Sequence, residues 1–226
     1  MDTEIGIAGG GPCGLMLANE FGRRGIRCLL VDSKPGTAFN PQANATRART
    51  MEHFRRLGFA DEIRALGLPA DHPTDIACFT RYLTHELARL ALPTAANAAQ
   101  QVRTLAVSWS AAELPHRMSQ KLVEAALRAT HRRVPPWTCA MAGRSSTSAT
   151  MVRRSIAATV QPVAGGTAEP VTARYLVGAD GARSFVRHRL GIAWSGASRN
   201  GEFTRGSFRL PPVRPSAKHG LPKTNA

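Results

Sequence analysis

Long apolar runs, cysteine pairs and metal-ligand patterns are missing from this sequence. No run of roughly 18 apolar residues, the length needed to span a bilayer, occurs among its 226 residues, so we expect no membrane partner. The N-terminus enters an apolar segment without the charged start of a secretion signal, and we expect a cytoplasmic protein. The four cysteines form no CxxC pair and the seven histidines show no ligand spacing, so we predict free thiols and no metal site.

Acidic residues are also scarce, and most of the imbalance lies in one part of the chain. The formal net charge is +15, and residues 101–226 contain 19 of the 30 lysines and arginines but only 5 of the 15 acidic residues. Such an asymmetry is compatible with a nucleic-acid-binding protein. The arginines follow no helical face, however, and no aromatic residues are interleaved with them as a stacking platform. We therefore predict no nucleic-acid partner and keep that function as a weaker alternative.

What the sequence does contain is a glycine-rich turn inside a strand–helix–strand pattern. The short apolar segment Glu4–Ala8 predicts a buried strand, and the turn that follows has glycines at the first, third and sixth places of G-x-G-x-x-G. Leu15–Arg24 has the apolar spacing of a helix, and Arg27–Val31 predicts a second strand that ends at Asp32. An acidic residue 18 positions after the last glycine completes the dinucleotide-binding fingerprint.

Each residue of the fingerprint has a physical role. Gly9 allows a tight turn, Gly11 lets the backbone approach a diphosphate, and Gly14 lets the helix pack closely on the strand. The free N–H groups at the helix N-terminus meet the diphosphate charge. The carboxylate at the end of the second strand accepts hydrogen bonds from ribose hydroxyls and repels a 2′-phosphate. The alternative is an ordinary glycine-rich turn; the surrounding pattern favours a cofactor site made of Gly9, Gly11, Pro12, Gly14, Asp32 and Ser33.

A second strand–turn–helix pattern lies near the end of the patterned sequence. Val171–Ala179 predicts a strand, Asp180 and Gly181 a sharp turn, and Ser184–Leu190 a helix. The arginines around this helix can hold a second anionic group. We expect this strand and the two strands of the first unit to lie in one parallel sheet, with the ligand at their carboxyl ends.

The patterns between these two motifs are shorter. We predict helices over Ala48–Leu57 and Ala60–Leu66 and a strand over Ile76–Tyr82, whereas residues 87–92 fit either strand or helix and residues 93–112 show no pattern. Residues 39–46 are expected to form a loop. Ser119 is a good N-cap for a further helix, in which Gln120 points away from the apolar face; pattern alone makes it a solvent-exposed residue.

With both motifs in place, the chain resembles the FAD-dependent aromatic hydroxylases, the class A flavoprotein monooxygenases that include phenol and polyketide hydroxylases. The matching segments, residues 5–37, 41–75, 114–127 and 173–192, cover 102 of 226 residues. The resemblance implies an α/β, Rossmann-like FAD-binding fold with a parallel sheet. It also implies FAD as cofactor, NAD(P)H as reductant and an aromatic small molecule as substrate. In such enzymes the cofactor carries the chemistry while the protein orients the substrate and excludes water, and no catalytic residue is assigned here.

The resemblance also implies roles for single residues. The fingerprint glycines and its aspartate would hold the ADP half of FAD. Arg49 resembles the arginine that lies near the flavin, and Gln120 resembles a glutamine that contacts FAD. Asp180 and Gly181 belong to the DG motif that touches both FAD and NAD(P)H. Gln42 stands where relatives often carry a basic residue.

Two segments depart from the family pattern. A third motif, a Gly-Asp pair that binds the flavin ribityl chain, and the sheet that covers the substrate are not found. We therefore expect a truncated enzyme. Residues 1–200 would form a discontinuous FAD-binding domain, in which residues 70–115 and 131–165 belong to an incomplete substrate side, and residues 201–226 would form a disordered tail. A non-catalytic remnant and a different FAD oxidoreductase, such as an NAD(P)H-dependent reductase, remain as alternatives.

The second departure is internal. His131–Ile156 contains five arginines and no acid, and its run Arg144–Thr150 fits neither strand nor helix spacing. We chose codons that could encode Cys139–Arg154 and read the same string starting two bases later. The shifted frame encodes a strand-like segment followed by a turn. We therefore hypothesise a compensated frameshift over this region, with a second near residue 200. Arginine, alanine and serine are what a GC-rich gene encodes out of frame, so the basic charge needs no binding partner.

Overall fold

The structure is a computed structural model of the chain. It describes residues 2–34, 36–39, 43–81, 85–104, 111–131, 139–143, 150–152, 155–161, 167–193 and 195. The chain divides into one unit of Met1–Ala193 and a second of Trp194–Ala226. All the elements described below belong to the first unit. The tail predicted to be disordered, residues 201–226, lies outside the described residues.

Strands and helices alternate along the first half of this unit, and strands dominate the second. The strands are β1 Asp2–Ala8, β2 Cys28–Asp32, β3 Ala45–Thr46, β4 Ile76–Arg81, β5 His85–Leu90, β6 His116–Arg117, β7 Cys139–Gly143, β8 Thr150–Val152, β9 Ser155–Val160 and β10 Glu169–Gly178. The helices are α1 Pro12–Arg23, α2 Ala48–Arg56, α3 Ala60–Ala65, α4 Ala95–Thr104, α5 Gln120–His131 and α6 Phe185–Arg189.

The main sheet has six strands in the order β7-β2-β1-β10-β9-β8. The central strand β1 pairs in parallel with β2 on one side and with β10 on the other. β7 extends the parallel part beyond β2, whereas β9 and β8 add an antiparallel edge beyond β10. The predicted parallel sheet of the fingerprint strands and the strand before Asp180 is therefore confirmed, as is the α/β fold class.

The main core lies on one face of this sheet, where α1 packs on β1, β2 and β7 and α2, α3 and α5 pack with α1. Ile7 of β1 and Leu30 of β2 pack with side chains of α1, α2, α3 and α5, of which Leu15, Met51 and Leu127 have no exposed surface. β2 is a continuous apolar segment whose residues Cys28–Val31 are all buried, as is typical of a strand that is covered on both faces. This core fixes where α1 and α5 begin, and both of these helix starts lie at the candidate site.

One side chain of α1 hydrogen-bonds both to its own helix and to α5 inside this core. The buried amide of Asn19 donates from Nδ2 to the carbonyl oxygens of Leu15, 2.8 Å away, and Leu127, 3.0 Å away. The second bond crosses from one helix to the other. It gives the carbonyl group near the end of α5 a partner that water cannot supply in the core.

The structure differs from the sequence predictions in three places. Residues 95–104 form α4, where no pattern was found, because alanine has the highest helix propensity without any periodicity. Residues 45–46, expected within a loop, pair as β3 with β6. Residues 139–143 and 150–152, for which no strand was predicted, form β7 and β8. Of the run Arg144–Thr150, expected to fit neither strand nor helix spacing, only Thr150 is among the described residues. Strand pairing with β2 and β9 supplies backbone hydrogen bonds that such a sequence pattern does not reveal.

The ambiguous segment 87–92 lies mostly in a strand. β5 pairs with β4 in an antiparallel two-stranded sheet separate from the main one. Its large apolar side chains Leu87 and Leu90 are exposed. The assignment of residues 70–115 to a substrate side stays a prediction, as does the domain boundary at residue 200.

Candidate cofactor site

The glycine turn, residues 9–14, connects β1 to α1 at the carboxyl edge of the sheet. Gly9 has a φ of +110°, and a Cβ atom there would overlap the backbone of Ala179 at the end of β10. A Cβ atom at Gly14 would overlap the carbonyl oxygen of Gly9. Both positions therefore need glycine for contacts within the protein: a tight turn at the first and close packing at the second.

Gly11 has a different surrounding. It is the N-cap of α1, and a Cβ atom added to it would meet no atom within 4 Å. Pro12 occupies the first position of the helix, which needs no N–H donor. The first intrahelical bond of this turn runs from Leu15 N–H to Gly11 O, so the N–H groups of Cys13 and Gly14 have no partner within the helix. The helix thus presents donors and a positive dipole end to open space, which suits a diphosphate.

Asp32 closes the opposite side of the site at the end of β2. Its Oδ2 accepts a hydrogen bond from the N–H of Gly10, and its Oδ1 accepts one from Lys34 N, 2.8 Å away. A Cβ atom at Gly10 would lie 2.8 Å from that Oδ2, so the middle position of the G-x-G also needs glycine. A carboxylate offers about four lone-pair directions, and two such bonds leave capacity for ribose hydroxyls.

The DG turn, Asp180 and Gly181, follows β10 at the same edge. Gly181 has a φ of +82°, which glycine adopts without strain. The carboxylate of Asp180 accepts hydrogen bonds from Ser184 Oγ and from the N–H groups of Phe185, 2.7 Å away, and Val186, 3.1 Å away. Burial by itself would raise the pKa of Asp180, but these hydrogen bonds outweigh it and lower that pKa. The ionised carboxylate therefore holds the start of α6.

The glycine turn, the end of β2, the DG turn and the start of α5 enclose one cavity of about 470 Å³, which we call the nucleotide cavity. Eight of the ten predicted cofactor-binding residues line it: Gly9, Gly11, Pro12, Asp32, Ser33, Gln120, Asp180 and Gly181. Arg183, one of the arginines predicted to hold a second anionic group, lines it as well. The cavity also contains residues that sequence reasoning missed: Gly10, Cys13, Lys34 and Glu124. Gly10 is the one that the sequence signalled, as the middle of three consecutive glycines.

Two predicted residues do not line the nucleotide cavity. Gly14 lies within α1 and contributes through the packing described above. Arg49 lies on α2, where its side chain is 81% exposed and its guanidinium donates to Glu52 Oε2, 2.7 Å away. Its assignment to the flavin stays a prediction. Gln42 lies outside the described residues.

Gln120 is half-buried at the first position of α5, not solvent-exposed as its pattern alone indicates. Its Nε2 donates to Glu124 Oε1 at 2.7 Å. With Pro12 and Cys13 it also lines a second cavity of about 640 Å³. That cavity lies between α1, α2 and α5 and has a mainly apolar wall that includes Met16, Leu17, Phe21, Phe54 and Val123.

Two further properties concern only the part of the chain that the structure describes. Among these residues, no three His, Cys, Asp or Glu side chains are grouped as a metal ion would require. No helix within the same ranges has the length and apolar character needed to cross a membrane. A cytoplasmic location stays a prediction.

A parallel β1–α1–β2 unit with its glycine turn, open helix N-terminus and terminal aspartate defines a dinucleotide-binding site. The sequence profile of a family described as "FAD binding domain" matches residues 2–219, and this chain belongs to that family. This family membership confirms the resemblance to the FAD-dependent aromatic hydroxylases. It also confirms that FAD is the family's cofactor. The open space at Gly11 and the donors beside it fit such a cofactor.

Relatives with assigned activities are flavin monooxygenases or aromatic hydroxylases. The chain is 30% identical over 203 residues to a 3-(3-hydroxy-phenyl)propionate/3-hydroxycinnamic acid hydroxylase of Mycobacterium sp. (strain JLS), covering 87% of this chain and 31% of that protein. It is 32% identical over 192 residues to the 6-methylpretetramide 4-monooxygenase of Streptomyces rimosus, covering 84% of this chain and 30% of that protein.

Solved structures agree. The crystal structure of the flavin-dependent monooxygenase PieE in complex with FAD and substrate matches with a TM-score of 0.73 and 30% identity, over 87% of this chain and 33% of that one. The chain thus spans about a third of the length of the relatives that it matches.

Proposed function

We propose that this chain binds FAD in the nucleotide cavity and forms the cofactor-binding part of an NAD(P)H-dependent monooxygenase that acts on an aromatic small molecule. One observation carries the proposal. The open position at Gly11 and the N-terminus of α1 face the same cavity as the carboxylate of Asp32. A diphosphate and a ribose have their complementary groups at these two places.

The main predicted residues of the cavity have separate tasks in this proposal. The N–H groups at the start of α1 bind the diphosphate, and Asp32 accepts hydrogen bonds from the adenosine ribose. Asp180 keeps the DG turn in place through α6, and Gln120 contacts the cofactor at the opposite wall. When bound, FAD supplies the redox chemistry, while the chain's own residues bind and orient it.

The aromatic substrate class rests on the relatives. By their names, the two relatives above act on hydroxyphenylpropionate or hydroxycinnamic acid and on 6-methylpretetramide, and PieE was crystallised with FAD and its substrate. The choice between NADH and NADPH and the identity of the ring remain open in the proposal. The main alternative to this proposal is a chain that binds FAD but does not catalyse the reaction.

Flavin absorption tests the proposal directly. The purified chain is mixed with excess FAD, freed of unbound cofactor, and its visible spectrum is recorded. We expect one flavin per chain. NADH and NADPH oxidation is then measured with and without phenolic acids, and stimulation by a phenol supports the monooxygenase. Bound flavin without any oxidation supports the non-catalytic competitor, and a spectrum without flavin contradicts the proposal.

A further inference from the structure

A buried carboxylate lies at the wall of the nucleotide cavity. Glu124, on α5, is only 3% exposed. Its Oε2 accepts a hydrogen bond from the backbone N–H of Ala38 at 2.6 Å, and its Oε1 accepts one from Gln120 Nε2 at 2.7 Å. Among the ion pairs of the described ranges, none involves this carboxylate.

A buried carboxylate without a cation is unfavourable unless hydrogen bonds replace its lost hydration. Both donors at this place are uncharged N–H groups, and each faces a different oxygen of Glu124. Glutamine has the same shape but offers one acceptor oxygen and one NH₂ group. With its oxygen toward the Ala38 N–H, its NH₂ group would face Gln120, whose amide would have to turn and present its oxygen instead. The carboxylate therefore fixes which end of the Gln120 amide faces position 124.

The two donors belong to different walls of the cavity. Ala38 lies in the segment of residues 36–39 that follows Asp32, and Gly36 of this segment lines the cavity. Arg128, one turn further along α5, donates to Gly36 O at 3.2 Å and ties the same segment. Glu124 thus joins the segment beyond the ribose-binding aspartate to the side chain of Gln120.

We infer that Glu124 is a positioning residue of the cofactor site. Its carboxylate sets the orientation of the Gln120 amide and holds residues 36–39 against α5, so that both walls are formed before FAD enters. This inference rests on the proposed function. It predicts that replacing Glu124 weakens FAD binding in a chain that still folds.

The test is the FAD dissociation constant of Glu124→Gln, measured by quenching of flavin fluorescence and paired with a thermal melt. Because a turned Gln120 amide would lose its hydrogen bond to FAD, we expect the dissociation constant to rise on the order of tenfold. The matched control is Glu113→Gln. Glu113 also has a largely buried carboxylate, but it binds Arg64 and Arg55 away from the nucleotide cavity. We expect that control to bind FAD as the unaltered chain does.

A double-mutant cycle separates positioning from general weakening. If Glu124 acts largely through Gln120, Glu124→Gln will weaken FAD binding much less in a Gln120→Ala background. Equal weakening in both backgrounds would contradict that role. Glu124→Asp serves as a second variant, since its shorter side chain keeps the charge but cannot reach both donors.

The remaining outcomes are also decisive. FAD bound equally well by folded Glu124→Gln and by the unaltered chain overturns the inference while leaving the proposed function intact. An unaltered chain that binds no FAD overturns both. Loss of the fold in both Glu124 variants assigns the residue to stability instead of to the site, and also overturns the inference.

Discussion

Single residues of the glycine turn serve two separate purposes. Gly9, Gly10 and Gly14 are required by neighbouring protein atoms, because a side chain at any of them would meet the backbone or Asp32. Among the described residues, no atom lies close enough to Gly11 to require a glycine there. A fingerprint that looks uniform in sequence is therefore divided in the structure into glycines for the fold and one glycine for the ligand.

Gly14→Ala tests the first purpose. Its methyl group would overlap the carbonyl oxygen of Gly9, which is backbone and cannot rotate away. We expect destabilisation on the order of 3 kcal/mol, as for strong overpacking. Thermal or urea unfolding measures it. Gly36→Ala is the control, since an added Cβ there meets nothing within 4 Å; equal losses in both variants would contradict the packing argument.

His116 provides a pH-dependent prediction. Its side chain is buried, and burial together with the charge of Arg64 lowers its pKa from the ordinary 6.5. The unfolded chain therefore binds more protons than the folded one as pH falls through 6.5, and stability is lost in that direction. We expect a lower unfolding midpoint at pH 5.5 than at pH 7.5. His116→Asn should flatten this difference; an unchanged slope would assign the effect to other groups.

At the scale of elements, the packing of α1 on α5 connects the core to the site. Leu127 of α5 has no exposed surface, and its carbonyl oxygen accepts the hydrogen bond from Asn19. Leu127→Ala should cost about 2–5 kcal/mol of stability because it leaves a cavity. Leu122→Ala, on the same helix with a 38% exposed side chain, should cost much less. Chemical denaturation of both variants makes the comparison, and similar values would contradict this account of the core.

Elements with a strong pattern could be predicted from the sequence, and those formed by pairing could not. The apolar segments of β1, β2 and β10 and the spaced apolar faces of α2 and α5 carry their own signals. α1 begins at Pro12, three residues before the predicted start, because its first turn belongs to the glycine motif. β7 and β8 depend on partners that are distant in sequence, and nothing local indicates them.

The candidate site was predictable to a similar degree. Residues in named motifs, such as Asp32 and Asp180, were found from sequence and line the nucleotide cavity. Glu124 was missed because a glutamate on a helix gives no sign that it is buried between two other segments. The frameshift hypothesis for residues 139–154 stays open, and sequencing of the gene decides it.

For the whole molecule, the charge distribution and the family membership bear on which ligand or partner the chain binds. All eight ion pairs among the described residues involve residues 4–113, whereas 19 of the 30 lysines and arginines lie in residues 101–226. No nucleic-acid partner is needed to account for this charge, although its absence stays a prediction. Family membership and the nucleotide cavity both point to FAD.

The most direct measurement compares the FAD affinity of the unaltered chain with that of Gly11→Ala. The added methyl group occupies the space proposed for the diphosphate and meets no protein atom within 4 Å. We predict a rise in the FAD dissociation constant of about tenfold or more, because the second glycine of the fingerprint permits the close approach of the diphosphate. The thermal midpoint should stay within a few degrees. Unchanged affinity in a folded Gly11→Ala variant would contradict the account, because the diphosphate would then not lie at the N-terminus of α1.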